Sequence, residues 1–218
     1  MSSFLYPSLE PIRTDLREDD GNVMSELIMT VSETWAEADR ADERSVTDNG
    51  DRLDRAAAVV LERIARGGRI LAIGNGGSAC DADRLVRLLL GVVPARSLLD
   101  PAVLSALAND VGAARVFARQ VETFAAACDV VVAFSTSGVS PNIIGALKAA
   151  RQAGAATIAF AGYDGAGLAH SPDVDVCLRV ASESVHRIQE TQGALCDALV
   201  ARLRDGDITK ASTVKAAP

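Results

Sequence analysis

The chain predicts an α/β fold, a parallel sheet covered by helices on both faces, and three observations carry that reading. Short, uniformly apolar runs alternate with longer stretches of helical period, the pattern of strands buried on both faces and their crossover helices. The first such run, Ile70-Leu71-Ala72-Ile73, ends abruptly in Gly74-Asn75-Gly76-Gly77-Ser78, a strand-to-helix turn of the kind found at the carboxyl edge of these sheets. With 218 residues, 49% of them apolar, the chain is long enough to bury one sizeable core.

Residues 1–21, with Pro7, Pro11 and the acidic Glu18-Asp19-Asp20, hold no sustained period and read as a flexible arm. From Asn22 onward Val23, Leu27, Ile28, Val31 and Trp35 recur at helical steps, and a charged stretch over 37–51 surrounds the turn signal Asn49-Gly50. A second helix carries Leu53, Ala57, Val60, Leu61 and Ile64 on one face and stops at Gly67-Gly68. Two amphipathic helices ahead of the first strand cover a sheet edge or a partner subunit. We read 22–67 as an oligomerisation segment, with purely intramolecular packing as the alternative. Strands are expected over 69–73, 95–99, 130–134, 156–161 and 175–180. Helices are expected over 79–90, 142–153 and 183–204, with helical stretches at 103–107 and 113–126 between the second and third strands. Residues 22–204 then form a single domain whose ligand-binding core is 68–204, and 205–218, rich in small and polar residues, read as a flexible tail.

Composition excludes several classes of function. Net charge is −7, the isoelectric point is near 4.9 and no basic stripe is present, which argues against direct binding of nucleic acid. Aromatic residues make up 4% of the chain, too few for stacking platforms. No apolar run is long enough for a bilayer and the start lacks a basic, apolar, small-residue order, so no membrane association and a cytoplasmic location are expected. Cys80, Cys128, Cys177 and Cys196 are far apart with no Cys-x-x-Cys, the pattern of free, buried thiols rather than of a disulfide framework or zinc cage. His170 and His186 are the two histidines.

Two turns carry the chemistry. In the first, glycines let backbone N–H groups approach an anion, the helix N-terminus adds partial positive charge, and Ser78 supplies a cap or one more donor. Its spacing is neither Gly-x-Gly-x-x-Gly nor the P-loop pattern, and taken alone it is equally a tight connection. The second, Ser135-Thr136-Ser137-Gly138-Val139-Ser140-Pro141-Asn142, is narrower: it sets hydroxyls at Ser135, Thr136, Ser137 and Ser140 just ahead of a helix, with Ser140 as cap and Pro141 at the first helical position. Hydroxyls and first-turn N–H groups suit the terminal oxygens of a phosphate monoester. Two such loops on one sheet point to a phosphorylated small ligand.

These two motifs, with Ala108-Asn109-Asp110 between them and Arg187-Ile188-Gln189-Glu190 on the last helix, resemble the sugar isomerase (SIS) domain family, and within it the phosphoheptose isomerases. The resemblance spans about 22–204. It implies a flavodoxin-like three-layer sandwich with a five-stranded parallel sheet and two added N-terminal helices, a homotetramer, and ligand sites between subunits. By the same resemblance Ser78, Ser135, Thr136, Ser137 and Ser140 hold the phosphate of a sugar, and Asn75, Gly76, Gly77, Asp110 and Gln189 lie along the sugar itself.

The chain departs from that family where zinc is expected. The pattern Ser-x-x-Asp-Ala-x-His-x-x-x-Glu reads here with Arg84 at the His position and Leu88 at the Glu position, and the closing helix presents Gln189 followed eight residues later by Asp197 instead of His. Of the four implied ligands only Gln189 remains. Zinc sites need about three or four N, S or O ligands, and aldose–ketose isomerisation needs a base plus a group that polarises the carbonyl. No cofactor is therefore expected. Arg84 and Asp197 are expected either to replace the metal with a desolvated cross-helix ion pair, at a cost on the order of 3–5 kcal/mol when one partner is lost, or to be two solvated side chains. Asp110, His186, Glu190 and Asp197 are weak catalytic candidates. Asp81 reads as a helix-dipole partner and Cys80 as a buried structural thiol.

The leading functional reading is a tetrameric phosphosugar-binding protein without the zinc-dependent isomerase mechanism. Its alternatives are an active, metal-free isomerase of sedoheptulose 7-phosphate or a related ketose phosphate, a structural oligomer with a vestigial site, and a regulatory, protein-binding tetramer. The last resembles the factor that associates with the bacterial replication initiator, through Gly162-Tyr163-Asp164-Gly165 and Cys196-Asp197.

Overall fold

The computed structural model describes residues 20–206, so the arm expected at 1–21 and the tail expected at 205–218 lie almost entirely outside the described residues. The chain divides into two units, 1–40 and 41–218. The described part of the first is the beginning of helix α1 (Asp20–Asp48), on which Ile28, Met29, Val31 and Trp35 are exposed, Trp35 by 71%. No Gly or Pro interrupts 22–48, and the helix runs on through the charged stretch to the Asn49-Gly50 signal.

The second unit continues with α2 (Gly50–Ala65), β1 (Ile70–Gly74), α3 (Gly77–Leu88), β2 (Ala95–Ser97), α4 (Pro101–Val111) and α5 (Val116–Phe124). It closes with β3 (Val130–Ser135), α6 (Pro141–Gln152), β4 (Ala156–Ala161), β5 (Val176–Arg179) and α7 (Val185–Asp205). All five strands are parallel in the order β2-β1-β3-β4-β5, the flavodoxin-like order, with its switch point between β1 and β3.

The sheet's alternation builds two cores. Ile70, Ala72, Val130, Val132, Phe134, Ile158 and Phe160 face α2, α3 and α7, while Leu71, Ile73, Val131, Ala133 and Ala159 face α5 and α6. Phe134 and Phe160 stack on adjacent strands with centroids 4.4 Å apart. Asn49 does more than turn the chain. It is buried, its Nδ2 donates to Arg179 O at 2.8 Å and its Oδ1 accepts from Arg179 N–H at 2.9 Å, pinning the α1–α2 junction to β5.

Three segments differ from the sequence reading. The helical stretch at 103–107 is the longer α4, because Asp100 Oδ1 caps Ala102 and Val103 at 2.9 and 3.0 Å and Pro101 opens the helix. The stretch at 113–126 splits into a short 3₁₀ turn, Ala113–Arg115, and α5. After β4 a 3₁₀ segment, Tyr163–His170, holds Tyr163, Asp164 and Ala166 at positive φ, a conformation that composition does not announce.

Candidate functional site

Parallel register pairs Gly74 with Phe134, which sets the loops after β1 and β3 side by side at the carboxyl edge of the switch point. In the first loop Gly76 takes φ +52°, and a Cβ on Gly74 would strike the Ser78 backbone. Gly76 is the N-cap of α3 and Ser78 is buried inside the first turn, so the expected serine cap is a glycine cap: the positive φ with which the chain enters the helix strains any residue with a side chain and favours glycine. In the second loop Ser135 Oγ accepts from Gly138 N–H at 3.0 Å and Ser137 Oγ from Val139 N–H at 3.4 Å, bonds that curl the loop on itself. Ser140 is the N-cap of α6, with Pro141 in the first turn, and its hydroxyl makes no capping bond. Thr136 and Ser137 are half-buried beside it.

Helix α7 reaches this edge through Gln189. A Cβ on Gly77 would overlap the Gln189 carboxamide, which lies against the glycine and near Asp81. Burial raises the Asp81 carboxyl above its usual range, more than the Gln189 carboxamide and the Arg84 charge lower it. Asp81 Oδ2 and both carboxamide atoms of Gln192 are buried without hydrogen-bond partners. Sequence reasoning set Asp81 aside as a dipole partner; its burial comes with the neighbour supplied by α7, which no local signal shows.

One turn further along α3, Arg84 Nη2 meets Asp197 Oδ2 at 2.8 Å while Nη1 donates to Gly193 O at 2.8 Å. The bond to Asp197 raises the Arg84 guanidinium further above its ordinary value. The two side chains therefore pair, as the first reading expects, yet remain solvated, as the second expects: they are 41% and 54% exposed, so the pair is not desolvated. This donor set does not fit zinc. A guanidinium has no electron pair to give, Leu88 is a hydrocarbon, and the remaining carboxylate, Asp197, already neutralises Arg84. Among the described residues no three His, Cys, Asp or Glu side chains gather as a metal-holding group.

The other candidates do not converge on one another. Asp110 is exposed on α4 and accepts from Asn109 at 3.0 Å, Glu190 is exposed and paired with Arg187 at 2.8 Å, and His186 is exposed on the first turn of α7. Cys80 is exposed, contrary to the buried-thiol expectation, because it projects from the outer side of the first turn of α3; Cys177 and Cys196 are buried. A residue that sequence reasoning passed over joins the two loops: Asn142 exchanges a pair of hydrogen bonds with Asn75.

Comparison with known proteins agrees with this geometry. A family model described as the SIS domain matches residues 35–162. A phosphoheptose isomerase of Solidesulfovibrio magneticus is 42% identical over 167 residues, covering 73% of this chain and 80% of that one. Among solved structures, a phosphoheptose isomerase from Neisseria gonorrhoeae superposes with a TM-score of 0.76 at 36% identity, over 82% of this chain and 99% of that one. Another, from Francisella tularensis, gives 0.74 at 26% identity over 82% and 98% of the two chains.

Proposed function

Since the chain belongs to the SIS-domain family, in its phosphoheptose-isomerase-like group, we propose that it binds a phosphorylated sugar between its two loops and does so without zinc-dependent isomerisation. The phosphate sits at the N-terminus of α6, met by first-turn N–H groups and by the hydroxyls of Ser135, Thr136, Ser137 and Ser140, with Ser78 from the neighbouring loop. The sugar extends past Asn75, Gly76 and Gly77 toward Gln189. Asp110, exposed on α4, is completed as a sugar contact by assembly.

The observation that carries the metal-free reading is the Arg84–Asp197 pair. Isomerisation moves a proton between adjacent carbons while the carbonyl is polarised. Arg84 stays protonated at any working pH and Leu88 can neither give nor take a proton, so two of the family pattern's ligand positions offer neither a base nor a metal donor. Of the candidate carboxylates, Asp197 and Glu190 are paired with Arg84 and Arg187 and Asp110 is exposed on α4, while burial holds the Asp81 carboxyl above its usual range and so weakens it as a base.

A homotetramer with sites between subunits is part of the proposal. Helix α4 is apolar in sequence, yet it packs only Leu104 and Leu107 partly against the core and leaves Val103 and Val111 about 40% exposed. In the other unit, α1 exposes the Ile28, Val31 and Trp35 stripe. Among the described residues no helix is long and apolar enough to cross a membrane.

The test is thermal unfolding of chelator-washed protein against sugar phosphates, with and without zinc. A ligand at a hundred times its Kd stabilises by about 2.7 kcal/mol. A shift with sedoheptulose 7-phosphate and none with zinc is the expected result. A zinc-dependent shift would overturn the metal-free reading, no shift with any ester would overturn phosphosugar binding, and turnover of the sugar phosphate without metal would establish the isomerase alternative.

A further inference from the structure

Asn75 leaves the end of β1 and Asn142 is the second residue of α6, yet their side chains meet across the two loops. Asn75 Nδ2 donates to Asn142 Oδ1 at 2.9 Å, and Asn142 Nδ2 donates back to Asn75 Oδ1 at 2.8 Å. Two reciprocal bonds between planar groups fix the plane of each carboxamide as well as its position, where one bond would leave it free to rotate. The pair is solvent-exposed, so water competes for every bond in it and its contribution to folding is small. Its consequence is geometric: it ties the residue expected along the sugar to the helix whose N-terminus faces the expected phosphate.

The two amides are not equivalent. Asn142 Oδ1 also accepts from Ile143 N–H at 3.0 Å, so its oxygen is filled and its remaining capacity is one N–H. Asn75 keeps one N–H and one carbonyl lone pair. That combination of a donor and an acceptor on one rigid group matches the hydroxyls of a polyol, each of which both gives and takes a hydrogen bond. Asn142 lies two residues beyond Ser140, so a ligand seated on the hydroxyl loop and the orientation of Asn75 are set by the same helix turn.

We propose that Asn142 is a positioning residue, holding Asn75 so that its remaining donor and acceptor meet the hydroxyl groups of a sugar whose phosphate occupies the hydroxyl loop. It thereby sets the reach from phosphate to sugar, and with it which polyhydroxy phosphate esters fit. This deepens the phosphosugar reading above and rests on it.

The experiment measures calorimetric affinities for sedoheptulose 7-phosphate and for inorganic phosphate, and reads their ratio in the full chain and in the Asn75→Ala, Asn142→Ala and double variants. Losing two hydrogen bonds that orient one group lowers the ratio roughly tenfold in Asn142→Ala. Asn75→Ala falls by the same factor, the double variant falls no further, and inorganic phosphate binds all four proteins alike. Asn142→Asp keeps an oxygen for Ile143 and Asn75 but sets its second carboxylate oxygen against Asn75 Oδ1, turning the returned bond into a repulsion. Its charge weakens both ligands, its ratio falls at least as far as that of Asn142→Ala, and it serves in place of Asn142→Ala should that variant unfold. An unchanged ratio in the Asn142 variants, additive losses, or an equal loss of both ligands in Asn142→Ala would each overturn the assignment. An unmodified chain that binds inorganic phosphate but sedoheptulose 7-phosphate no better overturns the sugar role of Asn75, and one that binds neither overturns the phosphosugar reading itself.

Discussion

Arg84 and Asp197 lie on different helices, 113 residues apart in sequence, and meet at 2.8 Å where α3 crosses α7. Because both side chains are substantially exposed, solvent screening sets the scale of the interaction, and the 3–5 kcal/mol expected for a desolvated pair does not apply. In urea unfolding, Arg84→Ala and Asp197→Ala are each expected to lose about 1 kcal/mol or less, and the double variant to fall short of additivity by about 0.5 kcal/mol. Strict additivity would mean that the contact contributes nothing.

Ala166 offers a stabilising change. It sits at φ 40°, ψ −131°, a region open in practice only to glycine, within the 3₁₀ segment after β4. Its Cβ lies 2.8 Å from where a Cβ on Gly138 would fall, so this turn backs the hydroxyl loop. Ala166→Gly is expected to raise stability by about 1 kcal/mol, since the strain relieved exceeds the entropy lost. A lower melting temperature would show that the Ala166 methyl group stabilises more by packing than its backbone costs.

Gly77→Ala separates binding from folding. The added methyl group meets the far end of the Gln189 side chain, which is flexible, and Gly77 has no positive φ to strain. Gln189 is displaced from the loop, while the global unfolding midpoint moves little. Affinity for sedoheptulose 7-phosphate is expected to fall by about tenfold or more, the scale of a lost polar contact. Unaltered affinity would remove Gln189 from the sugar site.

The cysteines report burial through their chemistry. Burial pushes the Cys177 thiol from 9.0 up to about 11 and drives Cys196 upward as well, whereas Cys80 is exposed. At pH 8 iodoacetamide is expected to label Cys80 in the native protein and to reach Cys177 and Cys196 only after denaturation. A thiol that holds its proton more tightly when folded contributes fully to stability below 9.0, and that contribution is lost as pH rises from 9.0 toward about 11. Cys177→Ala is expected to flatten the alkaline side of the stability profile; a decline as steep as that of the unmodified chain would assign it to other groups.

By itself the sequence determined the α/β class, the five strands, the two loops and the replacement of three of the four zinc-ligand residue types that the resemblance implies, because each is written in local pattern: apolar runs, glycines before a helix, clustered hydroxyls, Arg84, Leu88 and Asp197 in place of the ligands. It also put Arg84 and Asp197 at positions that would meet, through the resemblance rather than through any local signal. Only the tertiary structure decided the rest. That Gly76 and not Ser78 caps α3 follows from a φ value, and that the ion pair is screened follows from solvent exposure at a helix crossing. The placing of Gln189 against Gly77, the burial of Asp81 and the Asn75–Asn142 bridge join residues 67 or more positions apart in sequence. Local propensity sees only a few neighbours along the chain, while contacts of this kind are fixed by the parallel register of β1 and β3 and by the packing of α7 beside α2 and α3 on one face of the sheet.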